Sequence, residues 1–223
     1  LKLIYGEAFR APNVYELYYN DGETVKAALS LEPEKVHTYE AVWEQYIGDH
    51  HRMTSSIYYF TVNNLINLQQ DTDGFLVFRN MDRVNAYGFE WEFESKWKCG
   101  IESRLSYAFQ QARNDLDDSI LTNSPFHQGK LNIIFPLYRD RVLLGTEFQY
   151  MSPRKTLAGQ KTDNVFLTNL TLFTQKFMSG MEVSATVYNI FNQKYGDPGS
   201  EEHLQDILYQ DGINFRVKVT YSF

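Results

Sequence analysis

The chain has 223 residues, of which 43% are hydrophobic and 16% aromatic, and its 21 Lys and Arg against 28 Asp and Glu give a net charge of −7. This acidic balance disfavours a nucleic-acid-binding surface, which needs clustered positive charge. No apolar run approaches the roughly 20 residues of a membrane helix, so helical membrane spans are excluded. The single cysteine, Cys99, excludes an internal disulfide and a multi-cysteine metal site.

Alternation of apolar and polar residues predicts ten β-strands. Several of them run to ten residues or more, whereas strands of soluble sheets have a typical length of about 5–6 residues. The segment 75–97 is predicted to be one strand with a bulge near residues 81–83. The predicted strands lie near residues 2–9, 35–47, 52–69, 75–97, 101–113, 127–137, 141–152, 164–177, 181–190 and 213–223.

Short and long connections alternate between these strands. Tight turns are predicted at residues 48–51, 98–100, 138–140 and 178–180. Polar loops are predicted at residues 10–34, 114–126, 153–163 and 191–212, with a smaller one at 71–74. An up-and-down antiparallel sheet with all tight turns at one end is typical of an outer-membrane barrel wall. A soluble β-sandwich usually mixes loop lengths at both ends.

The two faces of the predicted strands differ sharply. In the segment YGFEWEFESKW, aromatic residues occupy one face and carboxylates the other. The aromatic face carries Tyr87, Phe89, Trp91 and Phe93, and the opposite face carries Gly88, Glu90, Glu92 and Glu94. In a barrel wall the first face contacts lipid and the second lines a hydrated lumen. In a sandwich they would meet a second sheet and bulk water.

The last strand keeps the same alternation to the final residue. Its apolar face carries Phe215, Val217, Val219, Tyr221 and Phe223. This pattern resembles the C-terminal signal of bacterial outer-membrane barrels, which the barrel assembly machinery reads. The resemblance implies two partners for this strand, the assembly machinery and the lipid of the outer membrane.

Four further segments resemble the TonB-dependent outer-membrane receptors. They are YGEAFRAPNVYEL at 5–17, LEPEKVHTYE at 31–40, VNAYGFEWE at 84–92 and VYNIFNQKY at 187–195. Their order and spacing agree with the family over essentially the whole chain. The resemblance implies an all-β, up-and-down antiparallel transmembrane barrel wall in the outer membrane of a Gram-negative bacterium.

Family members are 22-stranded barrels with an N-terminal plug in the lumen. The resemblance therefore implies that residues 1–223 are the C-terminal part of such a barrel, without the plug, the first strands and the segment that contacts TonB. The start at Leu1, without Met or a signal peptide, agrees with a piece of a longer protein. Alone, it would leave two open sheet edges.

The resemblance also implies a function, which is TonB-energised uptake of a scarce nutrient. An iron-siderophore complex is the best fit, with haem and cobalamin as other candidates; no cofactor, resident metal or enzymatic reaction is implied. Candidate ligand contacts are Arg10, Asn13, Tyr15, Tyr18 and Tyr19 in the first loop, and Tyr195, His203 and Tyr209 in the last. Aromatic faces and Arg suit a flat, often anionic metal chelate. The aromatics of the first loop could instead fold back onto the barrel rim.

Other readings of the sequence are weaker. The neighbouring His50 and His51 fall in a predicted turn and match no closed metal site. Ser124 and His127 lack a third catalytic group. Two alternative functions stay open at this point, a passive porin-type channel and a soluble β-sandwich that binds carbohydrate.

Overall fold

The computed structural model describes residues 1–138, 141–178 and 180–222, with side chains except those of Asp82 and residues 175–178. Phe223 of the predicted assembly signal, two residues of the predicted turn at 138–140 and residue 179 of the predicted turn at 178–180 lie outside the described residues. The elements in chain order are β1 (Lys2–Arg10), α1 (Val14–Tyr18), β2 (Glu34–Ile47), β3 (His51–Gln70), β4 (Leu76–Lys96), β5 (Glu102–Asn114), β6 (His127–Tyr138), β7 (Val142–Met151), β8 (Val165–Met178), β9 (Met181–Tyr188), β10 (Gly196–Pro198), β11 (Ile207–Tyr209) and β12 (Asn214–Tyr221).

Ten of these strands form one antiparallel sheet in the order β1-β2-β3-β4-β5-β6-β7-β8-β9-β12. The predicted all-β, up-and-down architecture is confirmed, and the sheet ends at two edge strands, β1 and β12. The helix α1 and the two-stranded ladder β10-β11 were not predicted. The register between β3 and β4 is the same from His51–Ser95 to Gln70–Leu76, so the predicted bulge in β4 was wrong.

The strand register puts like side chains in rows across the sheet. Tyr39 pairs with Tyr59, and Tyr59 pairs with Tyr87, on the outer face of the curved sheet. On the inner face Glu94 pairs with Arg104. The separation of aromatic from charged residues predicted from their alternation is therefore confirmed.

The apolar face of the sheet has no second layer packed on it among the described residues. Large side chains on this face stay exposed, among them Leu3 at 78%, Ile57 at 60% and Phe215 at 81%. An exposed apolar surface of this extent is typical of contact with lipid or another protein. The sandwich alternative is excluded, because its core would lie on this face.

The outer face also carries tyrosines whose hydroxyls bond to polar groups nearer the long loops. Tyr59 donates to Asn85 at 3.1 Å, and Tyr150 donates to Asn164 at 2.9 Å. The Tyr107 hydroxyl lies 2.8 Å from Nδ1 of His127. A ring in apolar surroundings with its hydroxyl in a polar layer is typical of a membrane interface.

Among the described residues, the helix present is too short and too polar to cross a membrane.

Candidate ligand-binding mouth

Four loops and one hairpin turn lie at the end of the sheet opposite the tight turns. We call the loops L1 (residues 11–33), L2 (115–126), L3 (152–164) and L4 (189–213), and the turn between β3 and β4 T1 (71–75). Together they form the mouth of the curved sheet. Every predicted ligand contact lies in or directly beside L1 and L4.

L1 begins with α1, which is fixed at its N-terminus. The Asn13 side chain accepts from the Glu16 amide at 2.9 Å, and Glu16 accepts from the Asn13 amide at 2.8 Å, which makes a capping box. The Arg10 guanidinium bonds both Glu16 and Glu34. Of the predicted ligand contacts, Arg10 and Asn13 therefore already have partners within the protein.

The tyrosines of α1 are the accessible part of L1. Tyr15 stacks on Tyr19 with ring centroids 4.4 Å apart and meets the edge of Phe78. Tyr15, Tyr18 and Tyr19 are 46%, 63% and 40% exposed. Burial of part of the ring raises the pKa of Tyr15, and the nearby charge of Glu202 raises it further. The pKa of Tyr15 in L1 thus responds to a charge in L4.

The second half of L1 is bonded to the start of β4 and to T1, and we call this attachment the hook. The Leu76 amide donates to Thr24 and its carbonyl accepts from the Lys26 amide, at 2.8 and 3.0 Å. The Lys26 ammonium lies 2.5 Å from Asp71 and 2.7 Å from Asp73 in T1. Val25 is buried at this hook, so the second half of L1 is folded back onto the rim there.

Acid should weaken this hook. The hydrogen bond from Lys26 lowers the pKa of Asp71 from 3.8 to about 2. Because the folded-state pKa is the lower one, the stabilisation is present above about pH 4 and is lost as the pH falls toward about 2. Hydrogen exchange of residues 20–29 in the purified receptor, corrected for its intrinsic pH dependence, should show lost protection over this range.

The matched control for the acid effect is Asp71→Asn, which has no charge to lose. This variant should show weaker protection already at neutral pH and no further loss in acid from this group. Equal protection of the unsubstituted loop on both sides of the range would contradict the predicted hook.

L4 contains a small polar cavity of about 280 Å³ beside β8, β9 and β12. Asn189, with φ of 49°, turns the chain at the end of β9, and its side chain bonds both the amide and the carbonyl of Gln193. Tyr195 lines the cavity. Burial raises the pKa of its hydroxyl, and the charges of Asp197 and Asp211 raise it further. Arg216 lies 5.6 Å from the ring centre of Tyr188 in the same cavity wall.

The other two predicted contacts in L4 lie farther out. Nδ1 of His203 is 2.7 Å from the Ser200 hydroxyl, so the imidazole closes a local turn. Tyr209 belongs to β11 and is 81% exposed. Neither residue lines the cavity around Tyr195.

A buried arginine that sequence reasoning missed joins three loops. Arg154 of L3 donates to Asn123 of L2 at 3.0 Å and to Asp197 of L4 at 2.5 Å. Its side chain is only 7% exposed, and Thr156 beside it is fully buried. L2, L3 and L4 therefore form one polar unit around Arg154.

Below the mouth, the inner face carries a network of charges near the tight turns. Arg52 lies 2.7 Å from Glu94 and 3.7 Å from both Glu44 and Glu92, and Arg104 pairs with Glu94. Arg52, Glu94 and Arg104 are part of the wall of a hollow of about 720 Å³. The charged inner face predicted from the Glu row is therefore present. Within the described part of the chain, no three His, Cys, Asp or Glu residues converge as metal ligands.

The sheet has an exposed apolar outer face, a charged inner face and long loops at one end, as expected for the wall of a membrane barrel. The family comparison agrees. The family model described as TonB dependent receptor-like, beta-barrel matches residues 2–190. The chain belongs to this family of outer-membrane receptors, which are transporters rather than enzymes. This match favours the receptor class over the porin-type alternative.

Solved structures show the same fold at low sequence identity. The copper transporter OprC matches with a TM-score of 0.79 at 19% identity, covering 98% of this chain and 36% of that one. The ferric-catecholate import receptor Fiu of E. coli K12 matches at 0.74 and 16%, covering 99% and 32%. The pyoverdine receptor FpvA of Pseudomonas aeruginosa PAO1 matches at 0.71 and 15%, covering 98% and 33%. This chain thus spans about a third of the length of these proteins, and no curated protein sequence matches it.

Proposed function

We propose that this chain is the C-terminal part of the barrel of a TonB-dependent receptor that takes up an iron-siderophore complex across the outer membrane. The observation that carries the proposal is the mouth, where Tyr15, Tyr18 and Tyr19 stay exposed on a helix that is fixed by its capping box and by Arg10. Support comes from the neighbours, since two of them are a ferric-catecholate importer and a pyoverdine receptor. Because a copper transporter is also among the similar structures, copper is an alternative ligand that has to be tested.

In this proposal the chain performs no covalent chemistry. Its apolar face anchors the wall in lipid, while the charged inner face keeps the lumen hydrated. Tyr15 and Tyr19 offer ring faces to the flat aromatic groups of a catecholate siderophore, and Tyr18 and Tyr209 offer further exposed rings. The ligand is captured here before it passes into the lumen.

The remaining parts of the receptor would come from the rest of the protein. The free edges of β1 and β12 would pair with the strands that complete a 22-stranded barrel, and the lumen would hold the plug. TonB would act on the N-terminal part. On β12, the exposed row of Phe215, Val217, Val219 and Tyr221, continued by Phe223, would contact lipid and be read by the barrel assembly machinery.

The test is uptake by the full-length receptor in cells that lack their own copy. Radiolabelled ferric catecholate, ferric pyoverdine, copper(II), haem and cobalamin would each be supplied to cells with and without functional TonB. The proposal expects TonB-dependent accumulation of one ferric siderophore. TonB-independent entry of many small solutes would contradict it and favour a passive channel, and exclusive uptake of copper, haem or cobalamin would overturn the siderophore assignment.

A further inference from the structure

Arg10 lies where β1, β2, β3 and α1 meet. Its Nε and one terminal nitrogen hold the two oxygens of Glu34 at 2.6 and 2.8 Å. Its other terminal nitrogen holds the two oxygens of Glu16 at 2.8 and 3.0 Å. One guanidinium therefore ties the end of β1 both to α1 and to the start of β2.

Each of the two carboxylates has a second contact. Glu16 also accepts from the Asn13 amide as part of the capping box of α1. Glu34 also accepts from the Ile66 amide at 2.8 Å, at a point where β3 continues past the end of β2. Backbone amides at a helix start and at an unpaired strand edge have no partner within their own element. In the Arg10 cluster, Glu16 and Glu34 supply these partners for Asn13 and Ile66.

We propose that Arg10 is a positioning residue, which fixes α1 over the inner side of the mouth and so holds the Tyr15–Tyr19 stack where an incoming ligand meets it. The expected effect on uptake rests on the function proposed above. The expected position of α1 rests only on the contacts of Arg10.

The electrostatics of the cluster support a specific need for arginine. Glu16 and Glu34 are 9% and 7% exposed, and a buried carboxylate is costly without an opposite charge. A guanidinium can bind two carboxylates in a planar, bidentate way, whereas an ammonium acts as a point charge.

The two halves of L1 are fastened separately. The hook at Lys26 holds the second half. The helix α1 is held by Arg10, by the contact of Tyr15 with the edge of Phe78 and by one backbone bond, from the Ala28 amide to the Leu17 carbonyl at 3.0 Å. Ala28 is 8% exposed beneath α1. Loss of Arg10 should therefore release α1 and uncover residue 28 while the hook stays closed.

This release can be measured in intact cells. The full-length receptor would carry Ala28→Cys as its single cysteine, with Cys99 and every cysteine outside this chain replaced by serine, and would be labelled with a membrane-impermeant maleimide. Arg10→Gln should speed labelling about tenfold or more, since an unpaired buried carboxylate costs more than the free energy of a tenfold change. Arg10→Lys should give an intermediate rate.

The matched control is Arg113→Gln, because Arg113 also pairs with a loop carboxylate, Asp118, at 2.6 Å, but at an exposed site. It should leave the labelling rate unchanged. Protection of residue 28 in Arg10→Gln, or equally fast labelling in Arg113→Gln, would overturn the proposal.

A second variant covers the case in which Arg10→Gln does not fold. Glu16→Gln keeps the volume and the capping box, since Gln also serves at this position, but removes one of the two charges. With the folded barrel verified by its altered migration in unheated gel samples, this variant should label faster than the parent. Unchanged protection in a folded Glu16→Gln receptor would overturn the proposal.

Uptake of the radiolabelled ferric siderophores separates positioning from general damage. Arg10→Lys should raise KM while Vmax per folded receptor is kept, because α1 acts in capture. A lower Vmax with unchanged KM would overturn the role in capture. If the parent receptor transports none of these compounds, the proposed function fails, whereas the labelling result still decides the position of α1.

Discussion

Replacing Leu105 by arginine is expected to destabilise the folded barrel by about 1–3 kcal/mol, because a cationic side chain facing lipid costs about 2–4 kcal/mol at the midplane of the membrane and less toward its interfaces. Leu105 points outward on β5, between Phe93 of β4 and Leu131 of β6 in the strand register. It lies between the tight turn that precedes β5 and Tyr107 at the membrane interface. An arginine there has no partner and no water.

The neighbouring residue supplies the control for this variant. Ser106 points to the inner face and borders a polar hollow with Glu90 and Glu92. Ser106→Arg should change the free energy of unfolding by no more than about 0.5 kcal/mol, as for other hydrated sites. Both variants would be unfolded by urea in lipid vesicles; equal losses at the two positions would contradict the assignment of the faces.

The second large effect is expected at the buried arginine of L3. Asp197→Asn should destabilise the joined loops L2, L3 and L4 by about 3 kcal/mol, because it leaves the Arg154 charge buried without its carboxylate. Asp197 itself is 41% exposed, which keeps the expected loss at the low end of the range for buried pairs. The remaining partners of Arg154 are the neutral groups of Asn123 and Gly196.

The measurement is local, since the ten-stranded sheet should stay intact. Hydrogen exchange of peptides from L3 and L4 in the purified receptor reports the opening free energy of these loops. The matched control is Asp118→Asn, which breaks an ion pair whose carboxylate is 79% exposed and should cost less than about 1 kcal/mol. Unchanged exchange of L3 and L4 in Asp197→Asn would contradict the joining role of Arg154.

The long strands could be predicted because one signal repeats along each of them. Over the 21 residues of β4, every second side chain lies on the same face of the sheet. The alternation of apolar and polar residues is therefore recognisable even where single residues depart from it. The strands β10 and β11 have three residues each, too few for a period to show. The helix α1 has five residues, and its signal, Asn13 followed by Glu16, was present in the sequence as a capping box.

The contacts of the mouth were less predictable, because they join distant parts of the chain. Arg10 was predicted as a ligand contact from its residue type, whereas its pairing with Glu34 depends on the register of β1 and β2. Arg154 gave no signal at all, since Asn123 and Asp197 lie 31 and 43 residues away from it. Residue type predicts which groups can bind a ligand, and only the fold decides which are already occupied.

The most direct test of this account is a spin-label scan of β4 in the full-length receptor in lipid bilayers. Cysteines at residues 89 to 94 would be labelled one at a time, and collisions with oxygen in lipid and with a water-soluble nickel complex would be compared. The account predicts an alternation with a period of two, in which Phe89, Trp91 and Phe93 contact lipid while Glu90, Glu92 and Glu94 contact water. Uniform exposure to water along the strand, or lipid contact at the Glu positions, would contradict the central claim that this sheet is the wall of an outer-membrane barrel.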